Sequence, residues 1–154
     1  MTHIVTGLIA KPFALEAFAS KHSLHSPISL SVGLSILPLR DDDIDSLLPS
    51  PPTGLVDGFE HLSEQLMHLL EAASLNCALL YFETEYFGGD GSQGAVVFCN
   101  GVVAYGPKCA GIGPISEALR LLGVTVIPPA FDEFETIGLR RYRQTKDWLE
   151  SGDG

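Results

Sequence analysis

The dipeptide Asn100-Gly101 separates two apolar runs, "VVFC" and "VVAY", and it constrains the fold more than any other feature of the chain. A two-residue connection joins only antiparallel neighbours, because a parallel crossover needs about a dozen residues or more. Asn and Gly tolerate positive φ at both central positions of a type I′ turn, whose twist matches that of the flanking strands. Residues 96–105 are therefore read as one hairpin. Upstream, "NCALLYFETEYF" (76–87) has the length and aromatic content of a strand. It places Ala78, Leu80, Phe82, Thr84 and Tyr86 on one face and Cys77, Leu79, Tyr81, Glu83, Glu85 and Phe87 on the other. Three consecutive strands make an antiparallel meander that helices elsewhere in the chain must cover.

The remaining segments supply those helices and extend the sheet. "HIVTGLIA" (3–10) reads as a first strand, and Pro12 suits the first position of a short helix carrying Phe13, Ala17 and Phe18. From Ile28 to Ile36 apolar residues alternate with Ser and Gly, the period of a half-buried strand over 28–37 that stops at Pro38. "RDDDIDSLLPSPPTG" (40–54) reads as a surface loop with at most one helical turn. Asp57 and Glu60 stand at capping-box spacing before a helix over 58–73, whose apolar stripe is Phe59, Leu62, Leu66, Leu69, Leu70 and Ala73. Pro114 and Gly123 bracket a further helix, and Trp148 anchors a last one in the tail. The expectation is one α+β domain over residues 1–154, with an antiparallel, possibly mixed, sheet of about five strands and helices packed on one face.

Composition excludes whole classes of partner. The net charge is −10: residues 1–130 hold thirteen acidic and five basic side chains, and the last twenty-four hold six and four. Nucleic acid and anionic membrane surfaces call for Lys and Arg, so neither is expected, whereas a basic protein partner would be drawn in faster. The start, "MTHIVTGLIAKPF", lacks a basic n-region and a small-residue cleavage site, so no signal peptide is expected. Cys77, Cys99 and Cys109 form no C-x-x-C pair and read as reduced thiols of a cytoplasmic protein.

The stretch "GDGSQGAV" (89–96) fits G-x-G-x-x-G and also G-x-G-x-x-G-x-V. A dinucleotide site needs a helix to begin at the last glycines and aim its N–H groups at the pyrophosphate. Here Ala95, Val96, Val97 and Phe98 announce a strand instead. The phosphate loop lacks its Lys-Ser or Lys-Thr, and the kinase loop lacks H-R-D and D-F-G partners. The glycines are read as a connection between strands, with a ligand- or partner-contacting role open. Glu83 and Glu85 share one strand face, where paired acids are most often simply solvated. The helix stripe of His61, Glu64, His68 and Glu71, and the pair His22 and His25, lack a complete ligand set. No catalytic set, cofactor site or metal site is assigned.

The segment Tyr81 to Gly101, "YFETEYFGGDGSQGAVVFCNG", resembles a motif of small bacterial immunity proteins, which are encoded beside secreted toxins. The likeness lies in the acidic-aromatic strand, the Y-F-G-G turn, the Ser-Gln pair and the apolar hairpin after it. It implies a cytoplasmic protein that occludes a cognate toxin, basic at the contact surface. The interface expected from that resemblance and from the acidic, glycine-rich character of the segment comprises Glu83, Glu85, Tyr86, Phe87, Gly88, Gly89, Asp90, Gly91, Ser92 and Gln93. Two alternatives stand beside it. One is a small-molecule site, enzymatic or binding, on residues 83–94 with Glu83, Glu85 and Tyr86. The other is a homodimer joined through the apolar hairpin Val96 to Tyr105.

Overall fold

The computed structural model describes residues 2–48, 54–87 and 90–152. Its centre is the meander. Strand β5 (Ala78–Phe87) pairs along its whole length with β6 (Asp90–Cys99), from Ala78 opposite Cys99 to Phe87 opposite Asp90. β6 turns at Asn100 (φ 54°) and Gly101 (φ 83°) into β7 (Val102–Ala110), as the Asn-Gly signal requires. The turn is seated from below, since the Gly101 N–H donates to the Ser74 carbonyl and to Ser74 Oγ, at 3.3 and 3.1 Å.

On the other side of β5 lie β1 (Thr2–His3) and β2 (Thr6–Ala10), end to end. The sequence reads this stretch as one strand; the break at Ile4 and Val5 arises because their N–H groups are used elsewhere. Ile4 donates to the Arg143 carbonyl at 2.7 Å and Val5 to Thr84 Oγ1 at 2.9 Å. The expected strand over 28–37 is likewise two, β3 (Ile28–Ser29) and β4 (Ser35–Pro38), folded on each other. Between them Val32 and Gly33 both take positive φ, 56° and 77°. Alternation alone cannot reveal such a turn, because Val32 keeps the apolar period while reversing the chain. The spatial order is β3-β4-β2-β5-β6-β7, antiparallel throughout and six strands wide.

Helices cover both faces of this sheet rather than one. Leu79, Tyr81, Val96 and Phe98 point to the layer of α1 (Pro12–Lys21), α2 (Asp41–Leu47) and α3 (Glu64–Ala73). Leu80, Phe82, Ala95 and Val97 point the opposite way, to α4 (Pro114–Leu121), α5 (Glu133–Thr136) and α6 (Thr145–Gly152) with its buried Trp148. The central strands are apolar on both sides, so either face left bare would expose a core. The α+β class holds, in three layers.

Two helices begin where the sequence does not place them. The acidic run after Arg40 is helical, because Asp43 accepts from the Arg40 backbone N–H at 2.9 Å and satisfies the exposed end of α2. The residues beyond it, 49–53, lie outside the described residues. Helix α3 starts at Glu64, capped by Ser63 Oγ accepting from the Leu66 N–H at 3.2 Å, and not at Gly58. At the far edge β7 is irregular. Its pairing with β6 shifts twice, between the partners of Ala95 and Val97 and again between those of Val97 and Phe98, so β7 carries extra residues at Gly106-Pro107 and at Ala104.

Candidate functional site

The first turn expected of the long helix is spent on a different task. The N–H groups of Glu60, His61 and Leu62 converge on the carboxylate of Glu83, at 2.6, 3.1 and 3.1 Å, and the Tyr81 hydroxyl donates to the same group at 2.5 Å. Consecutive N–H groups aimed inward form a concavity for an anion, and bonds to a charged acceptor are about twice as strong as neutral ones. Glu83 is thereby buried, 7% exposed. Burial, and next the Glu83 charge, pushes the Tyr81 phenol well above the ordinary tyrosine range, so it stays a donor. The expectation that Glu83 lies on an exposed acidic surface is corrected. A solvated strand carboxylate becomes the pin that fastens the entry of α3 to β5.

Tyr86 and Gln93 serve the opposite face. Tyr86 Oη donates to the Gly111 carbonyl at 2.6 Å and accepts from Gln93 Nε2 at 3.0 Å, while Gln93 Oε1 accepts from the Ile115 N–H at 2.7 Å. The Gln93 amide is buried and spans from β5 to the start of α4. Two of the expected contact residues are thus brackets that hold the hairpin against the helical layer.

Four side chains do reach solvent. Glu85 and Ser92 face each other across the hairpin, and Phe87, 55% exposed, stands opposite Asp90 at its end. Gly88 and Gly89 lie outside the described residues. Gly91 and Gly94 belong to β6, not to a loop. A Cβ on Gly91 would lie 1.9 Å from the Glu85 carbonyl oxygen, and one on Gly94 would lie 2.6 Å from the Phe59 ring. Those two glycines of the dinucleotide and kinase patterns are therefore demanded by close packing within the sheet. Sequence reasoning missed the Glu60–Leu62 concavity, the Tyr81 hydroxyl and Ile112, 78% exposed beside the Gly111 that Tyr86 holds. Only pairing distant in sequence brings them to this end of the sheet, so no local pattern marks them.

Between Glu60, Glu83, Glu85 and Ser92 there is a cavity of about 40 Å³, room for about one water molecule and not for an organic substrate. Tyr86 is on the other face from Glu83 and Glu85, so these three do not line one site. Among the described residues, no group of three or more His, Cys, Asp or Glu side chains is gathered to hold a metal, and no helix is long and apolar enough to cross a membrane. No protein-family model, curated protein or solved structure matches this chain.

Proposed function

We propose that this protein is a non-enzymatic bacterial immunity protein that binds and neutralises a cognate toxin in the cytoplasm, using the tip of the β5–β6 hairpin. The observation that carries this reading is the contrast within one ribbon. Glu85, Phe87, Asp90 and Ser92 project into solvent, while Glu83, Tyr86 and Gln93 lock the same ribbon to the helices on both sides. A surface already held rigid loses little freedom on association. An exposed aromatic supplies an anchor for a partner's pocket. The acids around it, on a chain of net charge −10, steer a basic enzyme toward that anchor and set the salt dependence of encounter.

The test is co-purification with the product of the neighbouring gene, followed by binding kinetics on variants of the tip. Reversing Glu85 and Asp90 to Lys should slow association at low salt. Phe87→Ala should weaken the complex by about 2 kcal/mol, roughly thirtyfold in Kd, as an anchor at the centre of an interface does. If the charge-reversed protein and Phe87→Ala both bind and protect like wild type, the hairpin tip is not the contact surface.

A further inference from the structure

At the end of β5 opposite the hairpin tip, α1 and α3 line a cleft of about 510 Å³, within the range of roughly 300–1,000 Å³ typical of small-ligand sites. Phe13, Ala17, Phe18, Leu69, Ala72 and Leu75 line it. Phe13 and Leu75, at its rim, are 60% and 62% exposed. Two large apolar side chains left in water beside an apolar cleft form a contiguous patch of the kind that marks a binding surface.

The charge around the cleft is the reverse of the charge on the chain. The protein has nineteen acidic side chains and none of them lines the cleft; its one charged lining residue is Lys21, in the last turn of α1. None of the described ion pairs uses Lys21. The other two titratable groups that line the cleft, His22 and Cys77, are shifted toward their neutral forms. The His22 ring lies 4.6 Å from that of Phe18, and burial lowers its pKa. Burial raises that of the Cys77 thiol. An apolar channel with a single positive group at one end matches a ligand that is hydrocarbon along its length and carries one negative charge. A phosphate ester, with up to two negative charges, would call for more than one cation, and the cleft offers a single ammonium group, with the Asn76 amide and the His22 ring also lining it.

We propose that the cleft between α1 and α3 binds an aliphatic carboxylate, with the chain laid between Phe13 and Leu75 and the carboxylate at Lys21. This goes beyond toxin binding, because the cleft and the hairpin tip share no residue. The test titrates the full-length protein with octanoate, decanoate and decanol, each below its micelle-forming concentration, and follows the methyl NMR signals of Ala17, Ala72 and Leu75. Octanoate and decanoate should move these signals saturably. Each added methylene should tighten binding by up to about fourfold, the equivalent of 0.8 kcal/mol per buried CH₂. Lys21→Glu should weaken decanoate at least fivefold and leave decanol unchanged. Ala72→Phe, an exposed position, should retain the fold and lose decanoate. The proposal is overturned if decanoate moves none of these signals, if Lys21→Glu weakens decanoate and decanol equally, or if folded Ala72→Phe binds decanoate like wild type. Loss of the toxin complex in Ala72→Phe, without decanoate binding to wild type, would assign the cleft to a protein contact instead.

Discussion

Removing the Glu83 carboxylate tests the logic of this end of the molecule most directly. In Glu83→Ala four donors lose their acceptor: the N–H groups of Glu60, His61 and Leu62, and the Tyr81 hydroxyl. The Glu60 and His61 N–H groups flank the small cavity and can be re-solvated by water. Leu62 and Tyr81 are buried without exposure, so those two donors bear the main cost, about 1–3 kcal/mol each. The expected destabilisation is about 3–4 kcal/mol, which for a chain of this size is a fall of roughly 10 °C in Tm. Glu83→Gln keeps the shape and one oxygen, but turns an N–H₂ toward the Glu60 N–H and sets donor against donor. It should cost about 1.5–3 kcal/mol, less than the Ala variant. Urea denaturation followed by tryptophan fluorescence, using the buried Trp148, measures both. The reasoning fails if Glu83→Ala loses less than about 1 kcal/mol, the net worth of one ordinary hydrogen bond. It also separates anchor from contact: under the proposed function, Glu83→Gln, measured well below its Tm, should bind the proposed partner as tightly as wild type does.

Three further outcomes follow from local geometry. Gly101→Val forces a β-branched residue to φ 83° and brings its Cβ within 2.8 Å of Leu75 Cδ2, so it should cost about 2–3 kcal/mol; an unchanged Tm would refute the turn. Val32 carries a β-branched side chain at φ 56°, before Gly33 at φ 77°, and Val32→Asn should therefore raise stability by about 1 kcal/mol, with a lower urea midpoint counting against the strain. His3 hydrogen-bonds Thr84 Oγ1 and the Leu139 carbonyl at 2.7 and 3.0 Å, and burial, followed by the charges of Arg140 and Arg143, holds its pKa below the ordinary value. Its neutral form is then favoured in the folded state. The stability is intact above pH about 6.5 and is lost as pH falls through the folded pKa; the urea midpoint should drop between pH 7.5 and 5.5, and His3→Gln should flatten that slope.

Local chemistry made part of this fold legible. Asn100-Gly101 placed the hairpin, and the twelve residues before the glycines placed the central strand, because both signals act over a few neighbouring residues. Two-sided apolar patterning on Leu79 to Phe82 already required cover on both faces, and the count of early and late helices could have supplied it. What stayed hidden depends on groups far apart in the chain. Glu83 and the peptide of Leu62 are twenty-one residues apart, and their meeting turned an apparent helix start into an anion concavity. Val32 was read as a strand residue because period reports burial and not direction. Within residues 83–93 the sequence did not separate the side chains that reach solvent from those that bond inward. Residue type cannot say that Gln93 faces α4 while Ser92, its neighbour, faces water.

The twice-shifted pairing of β7 has a consequence for how copies of this protein behave in company. A nine-residue strand at the border of a sheet, with Val102 and Val103 exposed, offers its free amides as a template for another chain. Such a template works only if the spacing of donors and acceptors repeats. Here the beat is broken at Ala104 and again at Gly106-Pro107, and Pro107 has no N–H to offer. A second molecule that starts to zip along Val102 falls out of step within about two residues. Broken spacing of this kind at a sheet border disfavours continued edge-to-edge pairing.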